Sequence, residues 1–161
     1  MPATPDRTTI RAALDAYVLA LRNNLTVEPP TASKPFRRIA VGEAKLSEHP
    51  RPYLMVWLSK TRVVSAVSDD KLIELTLNLK AVTDATQNDS HGALLDAIGA
   101  LDDYLDSLRD TGIIEGAEGF DLRSWMFEFP AQQAGARTCS ASATDVVVVK
   151  VEREHNRLPA S

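Results

Sequence analysis

Between Leu72 and Leu108 the spacing of apolar residues changes from every second position to every third or fourth. From Ile73 the odd positions read Ile73, Leu75, Leu77, Leu79 and Ala81, while Glu74, Thr76, Asn78 and Lys80 fall between them. Successive side chains on a strand point to opposite faces, so this segment offers one face to a core and one to water. Such alternation suits an antiparallel sheet, because buried parallel strands read as continuous apolar runs. After the polar break Thr83 to Ser90, Leu94, Leu95, Ile98, Leu101, Leu105 and Leu108 form one helical stripe. A half-buried strand followed by an amphipathic helix implies a helix packed on a sheet.

The rest of the chain is read around that unit. Ile10, Leu14, Tyr17, Val18, Leu21 and Leu25 predict a first helix over residues 5–25, with Thr4 as cap and Pro5 at the first helical position. Pro29-Pro30 ends it and opens a connector to Lys34. A short strand is expected at Phe36–Val41 and an all-apolar central strand at Tyr53–Leu58. Residues 59–70 read as a hairpin arm or a mobile loop, and the second helix follows with Asp89 or Ser90 as its cap. A strand over Trp125–Phe129 follows, then a loop over 130–142 and a last strand over Asp145–Glu152. Residues 1–4 and 153–161 are expected to fray. The order α–β–β–β–α–β–β, with a meander before the second helix and a hairpin after it, predicts a single α+β domain. Its four- or five-stranded antiparallel or mixed sheet carries two helices packed against it. Leu14, Val18, Leu21, Leu75, Leu77, Leu95, Ile98 and Leu105 are the expected core.

Composition limits the function classes. At 161 residues, 44% hydrophobic and 25% charged, the chain has the make-up of an ordinary globular domain. No apolar run approaches the ~20 residues of a membrane helix, and the lone Cys139 fits a reducing cytoplasm. Residues 1–52 carry eight Lys/Arg against five Asp/Glu, whereas residues 84–121 carry ten Asp/Glu against Arg109 alone. A net charge of −4 without a long basic stripe argues against wrapping nucleic acid, and the local asymmetry points to protein–protein contact.

Chemistry is hard to find. His49, His91 and His155 lie far apart with no second ligand at metal-site spacing, so no metal or cofactor is expected. Asp102, Asp106 and Asp110, spaced by four, line one edge of the second helix beside Asp103; they read as a solvated face or as a docking row for a basic partner. Phosphate loops and the Gly-x-Ser-x-Gly nucleophile elbow are missing, so an enzyme is not supported. Arg37, Arg38 and Lys45 fall in a loose basic zone beside Phe36.

The layout resembles that of one family. An N-terminal helix leads through a proline-rich connector to a Pro-Tyr-headed strand, Pro52-Tyr53-Leu-Met-Val-Trp-Leu58, then a long alternating strand, an amphipathic helix and a two-stranded ending. This is similar to the tail terminator (tail completion) proteins of long-tailed bacteriophages and related phage-derived particles. Neck and head–tail connector proteins are close neighbours. The resemblance implies a homohexameric ring, assembled in the host cytoplasm. It would cap the tail tube, end its polymerisation and join tail to head in the virion, with the tube and connector proteins as partners and without catalytic residues. Such a ring needs a head-to-tail interface. Arg37, Arg38 and Lys45 facing Asp102, Asp103 and Asp106 of a neighbour are the candidates for it. A small dimeric ligand-binding α+β module, or a hydrolase using the acidic helix, are the readings from other classes.

Overall fold

In the computed structural model the described residues are 9–42, 50–67, 70–84, 90–108, 123–129 and 138–152. Five strands form one mixed sheet: β1 (Arg38–Val41), β2 (Tyr53–Val67), β3 (Asp70–Asp84), β4 (Met126–Glu128) and β5 (Thr138–Glu152). Their spatial order is β1-β2-β3-β5-β4. The two helices, α1 (Ile10–Leu25) and α2 (Ser90–Leu108), pack on one face. The expected α+β class is therefore what the chain adopts, with two helices on a five-stranded sheet.

Alternation governs β3 as expected. Ile73, Leu75, Leu77, Leu79 and Ala81 are buried beneath the helices. In β5 the same face carries Cys139, Ala141, Ala143, Asp145, Val147, Val149 and Val151, all buried. Leu94, Ala97, Ile98, Leu101, Leu105 and Leu108 of α2 close over them. The opposite face holds a small cluster of Tyr53, Met55 and Val82 with Trp57 against it; elsewhere it is mostly polar or β-branched.

Several expectations need correction. Helix α1 begins at Ile10, not residue 5: its cap is Thr9, extended at φ −118° and ψ 169°, whose hydroxyl accepts from the Ala12 N–H at 3.0 Å. That bond satisfies one donor the first turn leaves open, so Thr9→Ala should cost about 1 kcal/mol in a urea titration. Strand β1 pairs with β2 in parallel, so the expected meander is absent at that step. The chain leaves β1 at Gly42, whose φ of +88° suits a residue without a Cβ.

Of the two readings of residues 59–70, the hairpin arm is the one adopted and the mobile loop is not: β2 continues to Val67 and pairs with β3 to Asp70. Two register shifts, at Leu58/Lys60 and Val63/Ser65, leave Ser59 and Val64 without an opposite residue and break the alternation there. Residues 138–142 likewise belong to β5, while 130–137 lie outside the described residues. Leu95 is 43% exposed instead of core. Leu14 is only partly buried; the other six expected core residues are buried as anticipated. The second helix runs from Ser90, so Ser90 is its first residue and not its cap, and Asp89 lies outside the described residues; β4 and β5 form an antiparallel pair.

Candidate interaction surfaces

Strand β4 is three residues long and pairs with only three residues of β5, so backbone hydrogen bonds alone hold it weakly. A buried arginine anchors the segment that carries it. The Arg123 side chain is 4% exposed. Its Nε donates to Asp102 Oδ1 at 2.6 Å, one terminal nitrogen to Asp145 Oδ1 at 3.0 Å, and the other to Asp106 and to the Asp102 carbonyl. Two residues on, the Trp125 indole N–H donates to Asp102 Oδ1 at 3.1 Å. The second oxygen of Asp145 accepts from the Tyr17 hydroxyl at 2.9 Å. One guanidinium thus ties α2, β5 and the β4 segment together, and Asp145 extends the network to α1.

The electrostatics follow from burial. Desolvation alone would lower the Arg123 pKa. Hydrogen bonds to Asp102 and Asp145, the charge of Asp145 and the bond to Asp106 outweigh it and hold the guanidinium above its already high ordinary value. A planar fork of donors meeting carboxylates from two elements is a strong, directional contact. Chemically the network is closed: Asp145 spends one oxygen on Arg123 and the other on Tyr17, leaving neither oriented as a base or nucleophile toward a substrate. Among the described residues no group of three or more His, Cys, Asp or Glu is arranged to hold a metal ion.

What the anchor positions is apolar and outward-facing. Met126 is 73% exposed, and Phe127 and Phe129 are more than one-third exposed. The two phenylalanine rings stack with centroids 6.1 Å apart, and the His91 ring of α2 lies 4.4 Å from Phe129. Helical spacing puts His91, Leu95, Asp102 and Asp106 on the flank of α2 that faces β4. This edge of the molecule therefore combines aromatic side chains with carboxylates.

The opposite edge is basic. Strand β1 carries Arg38, and α1 is fastened to it by Arg22, whose Nε donates to the Ile39 carbonyl at 2.8 Å. Arg37 is exposed and pairs with Glu28 at 3.0 Å. Leu19 of α1 and Val41 of β1 are exposed apolar residues. Of the residues expected to form an interface, Arg37 and Arg38 sit together at this edge, while Asp102, Asp103 and Asp106 sit on α2 on the other side. Asp102 and Asp106 are bound by Arg123, Asp103 is exposed, and Lys45 lies outside the described residues.

Open clefts of about 400 Å³ lie among the described residues. One crosses the helix-free sheet face between Trp57, Asn78, Lys80, Glu128 and Ser142. Another lies between the proline connector and α2, with Arg37, Arg51, Asp84 and Asp96 at its walls. Neither helix is long and apolar enough to cross a membrane.

Arg123, Asp145 and Tyr17 were not singled out by sequence. Asp145 alone carried a signal, as a carboxylate in an otherwise apolar inward row from Ala141 to Val151. No protein-family model matches the chain, and no curated protein matches it at a significant level.

Proposed function

We propose that this protein is a structural subunit of a long-tailed bacteriophage or phage-derived particle. It would close into a homo-oligomeric ring on the head-proximal end of the tail, end growth of the tube and join tail to head. The observation that carries the reading is the β2–β3 hairpin. Its 15-residue strands are each about 50 Å long. Lys60 to Val64 are exposed, with Val63 and Val64 about half exposed. Beyond the four residues paired with β1, the outer edge of β2 has no partner strand among the described residues. A long ladder with exposed valines in its outer half has the chemistry of an arm that reaches a protein partner. The layout shared with tail terminators supplies the assembly context, and the saturated Arg123 network gives no support to a catalytic reading.

Light scattering behind a sizing column, followed by negative-stain microscopy, tests this. The expected result is a discrete ring of about six subunits, the number the resemblance implies. Val63→Asp with Val64→Asp should leave ring mass unchanged and abolish capping of purified tail tubes. A chain that stays monomeric even with tubes present overturns the reading. The Arg37/Arg51 cleft favours a second reading, a small dimeric ligand-binding module. A compact dimer without rings would select it.

A further inference from the structure

We infer that the chain associates with copies of itself head to tail, the β4/α2 edge of one copy meeting the β1/α1 edge of the next. The inference rests on the self-assembly part of the function proposed above and adds the identity of the two surfaces. Strands β1 and β4 are the two ends of the sheet, so each has one edge with no strand partner among the described residues.

Charge separates this arrangement from its alternatives. Residues 9–42, which hold α1 and β1, carry five Arg/Lys against two Asp/Glu. Residues 90–108 and 123–129, which hold α2 and β4, carry five Asp/Glu against Arg123 alone, four of them apart from Asp96, which walls the Arg37 cleft. A symmetric dimer through β4 would set acidic against acidic, and one through β1 basic against basic. Only the heterologous contact brings opposite charges together.

Strand direction and apolar exposure agree with it. Strands β2 and β5 both run antiparallel to β3, β1 runs parallel to β2, and β4 runs antiparallel to β5. Hence β1 and β4 point in opposite directions. In a ring whose neighbours share strand direction, β4 would lie antiparallel beside β1, whose Ile39 carbonyl already accepts from Arg22. Val41 shares the helix-side face with buried Ile39, and Phe127 shares it with its register partner Ala141, which is buried beneath the helices. Val41 and Phe127 are 44% and 37% exposed, so a joined sheet would cover both from the same side.

Charge exchange tests the pairing on the full chain, with circular dichroism checking the fold of each variant. Arg37→Glu with Arg38→Glu, and separately Asp103→Lys with Glu128→Lys, should each weaken self-association by about tenfold or more. A chain carrying all four substitutions has both edges reversed and should associate again. Rings that form unchanged in both double variants overturn the pairing while leaving the ring reading in place. Failure of the fourfold variant to recover also overturns the pairing. A wild-type chain that never self-associates removes the pairing and the ring together.

Discussion

Replacing Arg123 with methionine is expected to destabilise the protein by about 3–5 kcal/mol, the usual effect of removing one partner from a buried ion pair. The reason is what remains. Asp145 is 3% exposed and keeps only the Tyr17 hydroxyl. Asp102 and Asp106, at 37% and 63% exposed, can turn to water, so the loss is concentrated at Asp145. For a domain with a total stability of roughly 5–15 kcal/mol, this approaches the threshold of folding at 37 °C. The cost comes from an orphaned charge, not from lost packing. Arg123→Leu combined with Asp145→Val and Tyr17→Phe, which removes the charges and the stranded hydroxyl together, should therefore recover most of it. Urea midpoints of the single and triple variants decide the matter. A triple variant as unstable as Arg123→Met would mean that the network contributes through packing. The arginine also fastens the segment bearing Phe127 and Phe129, so hydrogen exchange at 126–128 should rise in Arg123→Met before global unfolding.

The elements that sequence places correctly are those whose period is unbroken. Ile73 to Ala81 alternate because β3 is central and pleated against helices on one side. Leu94 to Leu108 repeat at helical spacing because α2 has one wet face. Leu95 falls off that stripe because it turns toward the short β4, which does not cover it. The outer half of β2 escapes the reading because bulges at Ser59 and Val64 shift the alternation twice within seven residues, and because Lys60 to Val64 are exposed, leaving no apolar row to find. The start of β5 escapes for a different reason: its inward row of Cys139, Ala141 and Ala143 is made of small side chains that do not stand out from a Ser/Ala-rich connector. The acidic row on α2 is visible in sequence, but its partner is not. Arg123 lies 17–22 residues from the three aspartates it binds, in a stretch with no period of its own. That Arg38 of β1 and Glu128 of β4 occupy opposite edges of the sheet depends on β5 inserting between β3 and β4, a long-range event that no local pattern encodes.

Leu77→Ala is expected to cost about 3–4 kcal/mol, near the middle of the range for buried leucine truncations. Leu77 is fully buried on the central strand, with Leu58 opposite it on β2 and Asp145 opposite it on β5. The β5 ladder runs unbroken past Leu77, while on β2 the first bulge follows Leu58 at Ser59, so the site can collapse only in part into the space left by the lost side chain. That space would open directly beside a buried carboxylate, since facing residues on paired strands hold their Cβ atoms only about 5 Å apart. A cavity with a polar wall can take a water molecule, whereas a purely apolar one stays dry. In the wild-type background the water gains little, because Asp145 already has Arg123 and Tyr17. In the Arg123→Met background it would solvate the stranded charge. The two substitutions should therefore be less damaging together than the sum of their separate costs, by about 0.5–3 kcal/mol, the size seen for residues that share a network. Urea titrations of the wild type, both single variants and the double variant measure this coupling. Strict additivity would show that water does not reach Asp145 through the Leu77 site, and that the Arg123 network is sealed from the core beneath β3.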